Sequence, residues 1–180
     1  MRLFLAIDLP AEIKKTIEKQ LKPLQQQYPD FRWVEQINYH LTLHFFGDVR
    51  NTDKIISFMN ELVYDIPSFY LYSSELGLFI KDNITLYIGF HRNKILEGLV
   101  KRIKEKSALG TSRKFVSHLT FGRYRIPSKQ QYLLLKKKLK NFVLDDIEFK
   151  VQTITLFESV IGTPKPVYKK IAEFPLLNET

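Results

Sequence analysis

No cysteine occurs among the 180 residues. Disulfides, thiol nucleophiles and thiolate metal sites are therefore excluded, and a reducing cytoplasm is the expected home. No Walker loop or dinucleotide fingerprint is present, so an enzyme of nucleoside triphosphates would lack its phosphate cradle. Low-complexity tracts and flexible linkers are missing too. The opening MRLFLAIDLP is too short for a signal peptide or a membrane span and reaches an acid at Asp8. It reads as a first strand, and no membrane association is expected. Acid is also scarce relative to base: 19 Asp and Glu stand against 28 Lys and Arg, a formal charge of +9. Such a field concentrates polyanions, with nucleic acid the obvious partner and a merely lysine-rich surface the alternative. At this length one domain, or two lobes sharing one core, needs no staples.

Histidine is rare as well, four in all, yet two of the four head the same tripeptide: His40-Leu41-Thr42 and His118-Leu119-Thr120. Side chains alternate along a strand, so His40 and Thr42 would share one face while Leu41 and Leu43 enter a core. His118 and Thr120 do likewise over Leu119 and Phe121. One such tripeptide is readily explained as a histidine satisfied at a strand edge; two copies at equivalent points of a repeat are not.

The repeat has an offset of 78 residues (118 − 40). Strand, helix, site strand, helix and strand follow one another over about 2–80 and again over about 84–158, with a closing strand at 167–174. A single domain over 1–180 is expected, made of two intertwined similar lobes related by a pseudo-twofold axis and sharing a central groove. The two site strands then lie across that groove, where a ligand would sit.

Local signals fill in the elements. Pro10 suits the first turn of a helix burying Ile13, Ile17, Leu21 and Leu24, which Pro23 should kink or end. Residues 31–34 and 39–46 read as strands. Thr52 or Asp53 should cap a helix that buries Ile55, Met59, Leu62 and Val63, and Pro67 separates it from a strand at 69–80. Ile84, Leu86, Ile88 and Phe90 alternate with polar or small residues after a turn at 81–83. Asn93 caps a helix with Leu96, Leu99, Val100 and Ile103 inward, ending near Gly110. The second site strand spans 113–124. Ser128 with Gln131 forms a capping box for a helix burying Tyr132, Leu135 and Leu139. Residues 146–159 form a strand whose apolar parity changes between Val151 and Ile154, which requires a bulge or sharp twist.

Histidine titrates near neutrality, so of two opposed imidazoles one can accept a proton while the other gives one. That suits displacement at phosphorus, where attacking water loses a proton on one side and the leaving oxygen gains one on the other. The threonine hydroxyls can donate to the non-bridging oxygens. No metal or other cofactor is required. His40 and His44, four residues apart on one strand face, would be about 13 Å apart at ~3.3 Å per residue, too far to share an ion. His44 and His91 are read as surface or groove-wall residues. Phe46 and Tyr124 share the parity of the site histidines and are candidates to stack a base, with rim packing as the alternative. Lys136, Lys137, Lys138 and Lys140 read as a solvated helix face.

These residues resemble a known family, the two-histidine phosphoesterases, and within it the RNA 2′,3′-cyclic phosphodiesterases, historically named 2′-5′ RNA ligases. The likeness runs through RLFLAIDLP at the start, WVEQINYHLTLHFFG at 33–47, RKFVSHLTFGR at 113–123 and SVIGTPKPVYKKIAEFPL at 159–176. The resemblance implies a bilobal α+β fold, with two antiparallel sheets lining the central groove and helices outside. It also implies hydrolysis of an RNA-terminal 2′,3′-cyclic phosphate to a 2′-phosphate, with tRNA fragments among the candidate substrates and 2′-5′ ligation or 2′-5′ cleavage as the rival activity. A non-catalytic RNA-binding module is the rival from another class, and a monomer is expected. Carried over, His40 is similar to the proton donor to the departing 3′ oxygen, His118 to the base acting on water, and Thr42 and Thr120 to the phosphate-binding hydroxyls. Arg123 is similar to an arginine that contacts phosphate. Its parity is opposite to that of His118 in an unbroken strand, so Gly122 must bend the chain. Two positions depart from the family pattern: Ser117 stands where proline usually precedes the second histidine, and His44 where lysine is common.

Overall fold

Strand β1 (Arg2–Asp8) is buried from Leu3 through Ile7, on both of its faces. A strand apolar on both sides belongs inside a sheet that is covered above and below. In the computed structural model, which describes residues 1–81, 83–107, 115–125, 128–160, 162 and 165–178, β1 indeed lies between two neighbours. One face, carrying Leu3, Leu5 and Ile7, joins the main core. The other, carrying Phe4 and Ala6, packs with Phe157 and Tyr168 in a small second cluster.

The remaining described elements are α1 (Ala11–Gln27), β2 (Arg32–Trp33), a 3-10 turn at Gln36–Asn38, β3 (His40–Asp48), α2 (Thr52–Val63), β4 (Phe69–Ile80), β5 (Asn83–Phe90), α3 (Lys94–Lys106), β6 (His118–Arg125), α4 (Lys129–Asn141), β7 (Glu148–Val151), β8 (Thr153–Val160) and β9 (Val167–Pro175). The strands form one nine-stranded sheet in the order β7-β4-β5-β6-β3-β1-β8-β9, with β2 added beside β6. Every strand pairing in it is antiparallel. The two expected sheets are its two wings, which meet where Leu41 of β3 stands opposite Leu119 of β6.

The wings do not follow the halves of the sequence. Strand β4 pairs with β5 and β8 pairs with β1, so each half of the chain gives its last strand to the other wing. The central order β4-β5-β6-β3-β1-β8 reads the same from either end once β1, β3 and β4 are matched with β5, β6 and β8.

Several local expectations are met. Asn93 Oδ1 accepts from Leu96 N at 3.0 Å, and Ser128 and Gln131 cap each other reciprocally at the start of α4. Others are corrected. Pro23 does not end α1, which runs on to Gln27 because Leu21 and Leu24, flanking it, are both buried in the core. The cap of α2 is Asn51, whose side chain accepts from Asp53 N and Lys54 N, so it does the work expected of Thr52 or Asp53. The change of parity after Val151 is neither a bulge nor a twist but a change of wing: β7 ends on β4, Gln152 intervenes, and β8 begins on β1. Gly110 and the first residues expected in the second site strand, 113 and 114, lie outside the described residues.

Candidate active site

In both site strands the residue after the His-Leu-Thr tripeptide is a bulge. Ala6 stands opposite Thr42 and Leu5 opposite His44, so Leu43 has no partner of its own. Tyr87 stands opposite Thr120 and Leu86 opposite Gly122, so Phe121 is the extra residue there. An extra residue inverts the facing of everything beyond it. Hence Arg123 comes round to the face of His118 and Thr120 without a left-handed conformation at Gly122. Among the described glycines only Gly47 has positive φ, +73°. It follows a second irregularity in β3, between Phe45 and Gly47.

The same inversion corrects three sequence readings made on an unbroken strand. His44 does not share the face of His40; it is 5% exposed, on the core side, and among the described residues its Nε2 finds no hydrogen-bond partner. Phe46 turns away from the groove and packs against the core and the edge of His44. Tyr124 also turns away, stacking on Phe31 with ring centroids 4.3 Å apart. The aromatic of the site strands that does line the groove is Phe45, 66% exposed. It lies 78 residues before Arg123, so the repeat offset pointed to it while strand parity pointed to its neighbour.

A cavity of about 340 Å³ gathers His40, Thr42, His118, Thr120 and Arg123, walled by Phe4, Phe45 and Tyr168. With Leu41 opposite Leu119 in antiparallel register, each histidine lies across from the threonine of the other tripeptide. The two histidines are then diagonal neighbours, with backbones roughly 7–8 Å apart. A cavity of about 530 Å³ between β4 and α4 contains neither histidine. His91 is exposed. Among the described residues no cluster of three or more His, Cys, Asp or Glu could hold a metal ion.

Each imidazole is fixed in the same way. His40 Nδ1 lies 2.7 Å from Asn38 O and His118 Nδ1 lies 2.7 Å from Val116 O. A carbonyl only accepts, so Nδ1 carries a proton in both rings and Nε2 is the atom that changes state. His40 Nε2 meets Thr42 Oγ1 at 3.0 Å; in the neutral ring the hydroxyl donates to it. The His40 ring is packed by Phe4 and Tyr168, with centroids 5.1 and 5.2 Å away. Phe79 and Tyr87 pack His118 at 5.0 and 5.6 Å.

Burial accordingly pushes the His40 pKa down to about 4, with Lys14 and Arg123 adding repulsion and the Asn38 bond and Asp8 opposing it. Burial also lowers His118, against the pull of the Val116 carbonyl and with Arg123 helping. The protein's own groups therefore bias both rings toward the neutral form. An anion bound between them would reverse that bias, because a negative charge favours imidazolium.

Behind His40 a partly buried ionic group supports the turn whose Asn38 carbonyl orients it. Lys14 reaches Asp8 at 2.6 Å and donates to Ile37 O at 2.8 Å, while Asp8 also holds Lys170 at 2.9 Å. Asn38 in turn donates to Pro166 O at 3.2 Å. The 3-10 turn is tied down on both sides, so the imidazole has little freedom to rotate.

An antiparallel fold of this strand order, with a His-Leu-Thr on each of its two central strands, is that of a two-histidine phosphoesterase. Residues 7–85 match the model of the LigT like Phosphoesterase family. An RNA 2′,3′-cyclic phosphodiesterase of Methanocaldococcus jannaschii is 34% identical, over 97% of this chain and 100% of that protein. One of Thermotoga maritima is 29% identical, over 96% and 94%. The fold is shared with E. coli LigT, solved with 3′-AMP, at a TM-score of 0.75, with 23% identity over 97% of each chain. The chain belongs to the LigT-like phosphoesterases. Among the described residues no helix is long and apolar enough to cross a membrane.

Proposed function

We propose that this protein is an RNA 2′,3′-cyclic phosphodiesterase that opens the terminal cyclic phosphate to a 2′-phosphomonoester. The observation that carries the reading is the convergence of both His-Leu-Thr copies and Arg123 on one cavity, each histidine presenting Nε2 with Nδ1 fixed. Its relatives of that name, matched over nearly the whole chain, support the same substrate. The symmetric strand order and the shared bulge support the further reading that the domain is an internal duplication.

Water attacks phosphorus while His118 Nε2 takes its proton, and the bond from phosphorus to the 3′ oxygen breaks as His40 Nε2–H protonates that oxygen. The product keeps the phosphate on O2′, and solvent exchange returns the two rings to their starting states. Thr42, Thr120 and Arg123 bind the non-bridging oxygens, where charge is held in the transition state. The phosphate anion itself raises both imidazoles, so a ring that the protein's own groups bias toward neutrality can serve as the acid once substrate is bound. Phe45 and Tyr168 offer aromatic faces to the nucleoside. The basic surface of the chain favours a polyanionic substrate over a small neutral one.

The test is incubation with an oligoribonucleotide ending in a 2′,3′-cyclic phosphate, with and without chelator. A 2′-phosphate product at the same rate in both is expected. Absence of that product would refute the reading, and joined or cleaved 2′-5′ linkages would replace it with the rival activity.

A further inference from the structure

Beyond Arg123 the groove face of β6 continues to Arg125, and β2 brings a third arginine beside them. Arg32 stands directly opposite Arg123 in the β2/β6 ladder, and Asn83 stands opposite Arg125 in the β5/β6 ladder. These residues line a cavity of about 500 Å³ that shares Arg123 with the histidine cavity. All three arginines are exposed. Among the described residues none of them is engaged in an ion pair, and Asp30, the carboxylate on the cavity wall, pairs with none of them.

Like charges placed directly across two strands destabilise the pairing. Strand β2 is only two residues long, yet it is held in place. Phe31 stacks on Tyr124, and Trp33 donates to Tyr28 O at 3.0 Å. Local structure is thus spent on keeping Arg32 against Arg123, and an anion between them would relieve the repulsion. Arg125 lies two residues from Arg123, ~7 Å along the strand, about one nucleotide step from the phosphate that Arg123 serves.

Resting on the proposed reaction, we propose that Arg32 and Arg125 form a second phosphate subsite, which binds the 5′-phosphate of the nucleotide that carries the cyclic end. Guanidinium groups grip phosphate oxygens bidentately. The subsite therefore distinguishes an RNA end, which always has that phosphate, from a cyclic nucleoside monophosphate, which lacks it.

Three substrates test this: adenosine 2′,3′-cyclic phosphate, its 5′-phosphorylated form, and the dinucleotide UpA with the same cyclic end. In the wild type kcat/KM should be roughly tenfold or more higher for the two substrates with a 5′-phosphate, mainly through KM. In Arg125→Ala and in Arg32→Ala that ratio should fall toward one, with Arg125→Lys recovering part of it. Lys137→Ala, which removes the same charge from an exposed position on α4, should keep the wild-type ratio. Equal efficiency on all three substrates in the wild type, unchanged ratios in the arginine variants, or an equal fall in Lys137→Ala would each overturn the subsite while leaving the reaction standing. Turnover of none of the three would remove the reaction and the subsite together.

Discussion

Acidification should weaken this protein through His40. The ring is packed among Phe4, Phe157 and Tyr168, and burial holds its pKa near 4 against an ordinary value of 6.5. In the unfolded chain the same imidazole takes up a proton as the pH falls through 6.5; in the folded protein it does not until near 4. The unfolded state therefore gains protons first. The stability that goes with a neutral His40 is complete above pH 6.5, declines as pH falls through the window, and is fully lost near 4. A gap of about 2.5 pH units corresponds to about 3 kcal/mol, a large fraction of the stability of a domain this size. Urea unfolding of the wild type and of His40→Asn at intervals between pH 7.5 and 4 isolates the effect, since other titrating groups cancel in the difference. The wild type should lose about 3 kcal/mol more than the variant across the window. A flat difference curve, or a His40 proton resonance titrating near 6.5, would show that the ring is not buried as described. His118, also lowered, acts in the same direction, so the double variant should flatten the profile further.

On an RNA end, His40→Ala and His118→Ala should each lose about 10²–10⁴-fold in rate. Bis(p-nitrophenyl) phosphate, whose leaving group needs no proton, separates their roles: His40→Ala should retain far more activity on it than His118→Ala, and the opposite order would reverse the direction of proton flow. Gly122→Ala should cost about 1 kcal/mol of stability, because its Cβ would meet Leu86 and Trp33 at 3.3 Å. Thermal unfolding measures this, and a neutral result would mean that β2 and β5 are looser around the bulge than the packing indicates.

Much of the site was legible in the sequence because a strand translates residue spacing directly into facing. Two identical tripeptides at one offset gave the paired imidazoles, and apolar spacing gave the helices and the core. Facing beyond the tripeptides was not legible, because an inserted residue in a ladder depends on what the partner strand offers. Leu43 and Phe121 look like ordinary apolar strand residues, and only Leu5 opposite His44 and Leu86 opposite Gly122 reveal that each is unpaired. That one-residue shift moved Phe46, Tyr124 and His44 out of the groove and brought Phe45 and Arg123 in. The crossing between wings at Gln152 was hidden for a similar reason: it leaves an apolar run on both sides, and the run alone does not say which neighbour each part will find. A strand over 31–34 was legible, but the pairing of Arg32 with Arg123 was not, since a two-residue ladder is too short to announce its partner.

The exchange of β4 and β8 between the wings sets an order of events during synthesis. Strand β1 can pair with β3 early, but its other edge stays bare until β8 emerges near the end of the chain, when Phe4 finally meets Phe157. Such distant pairing makes folding slow, and it leaves an apolar strand edge open to other chains in the meantime. A strand made before all its partners in the sheet is thus among the last to be sealed.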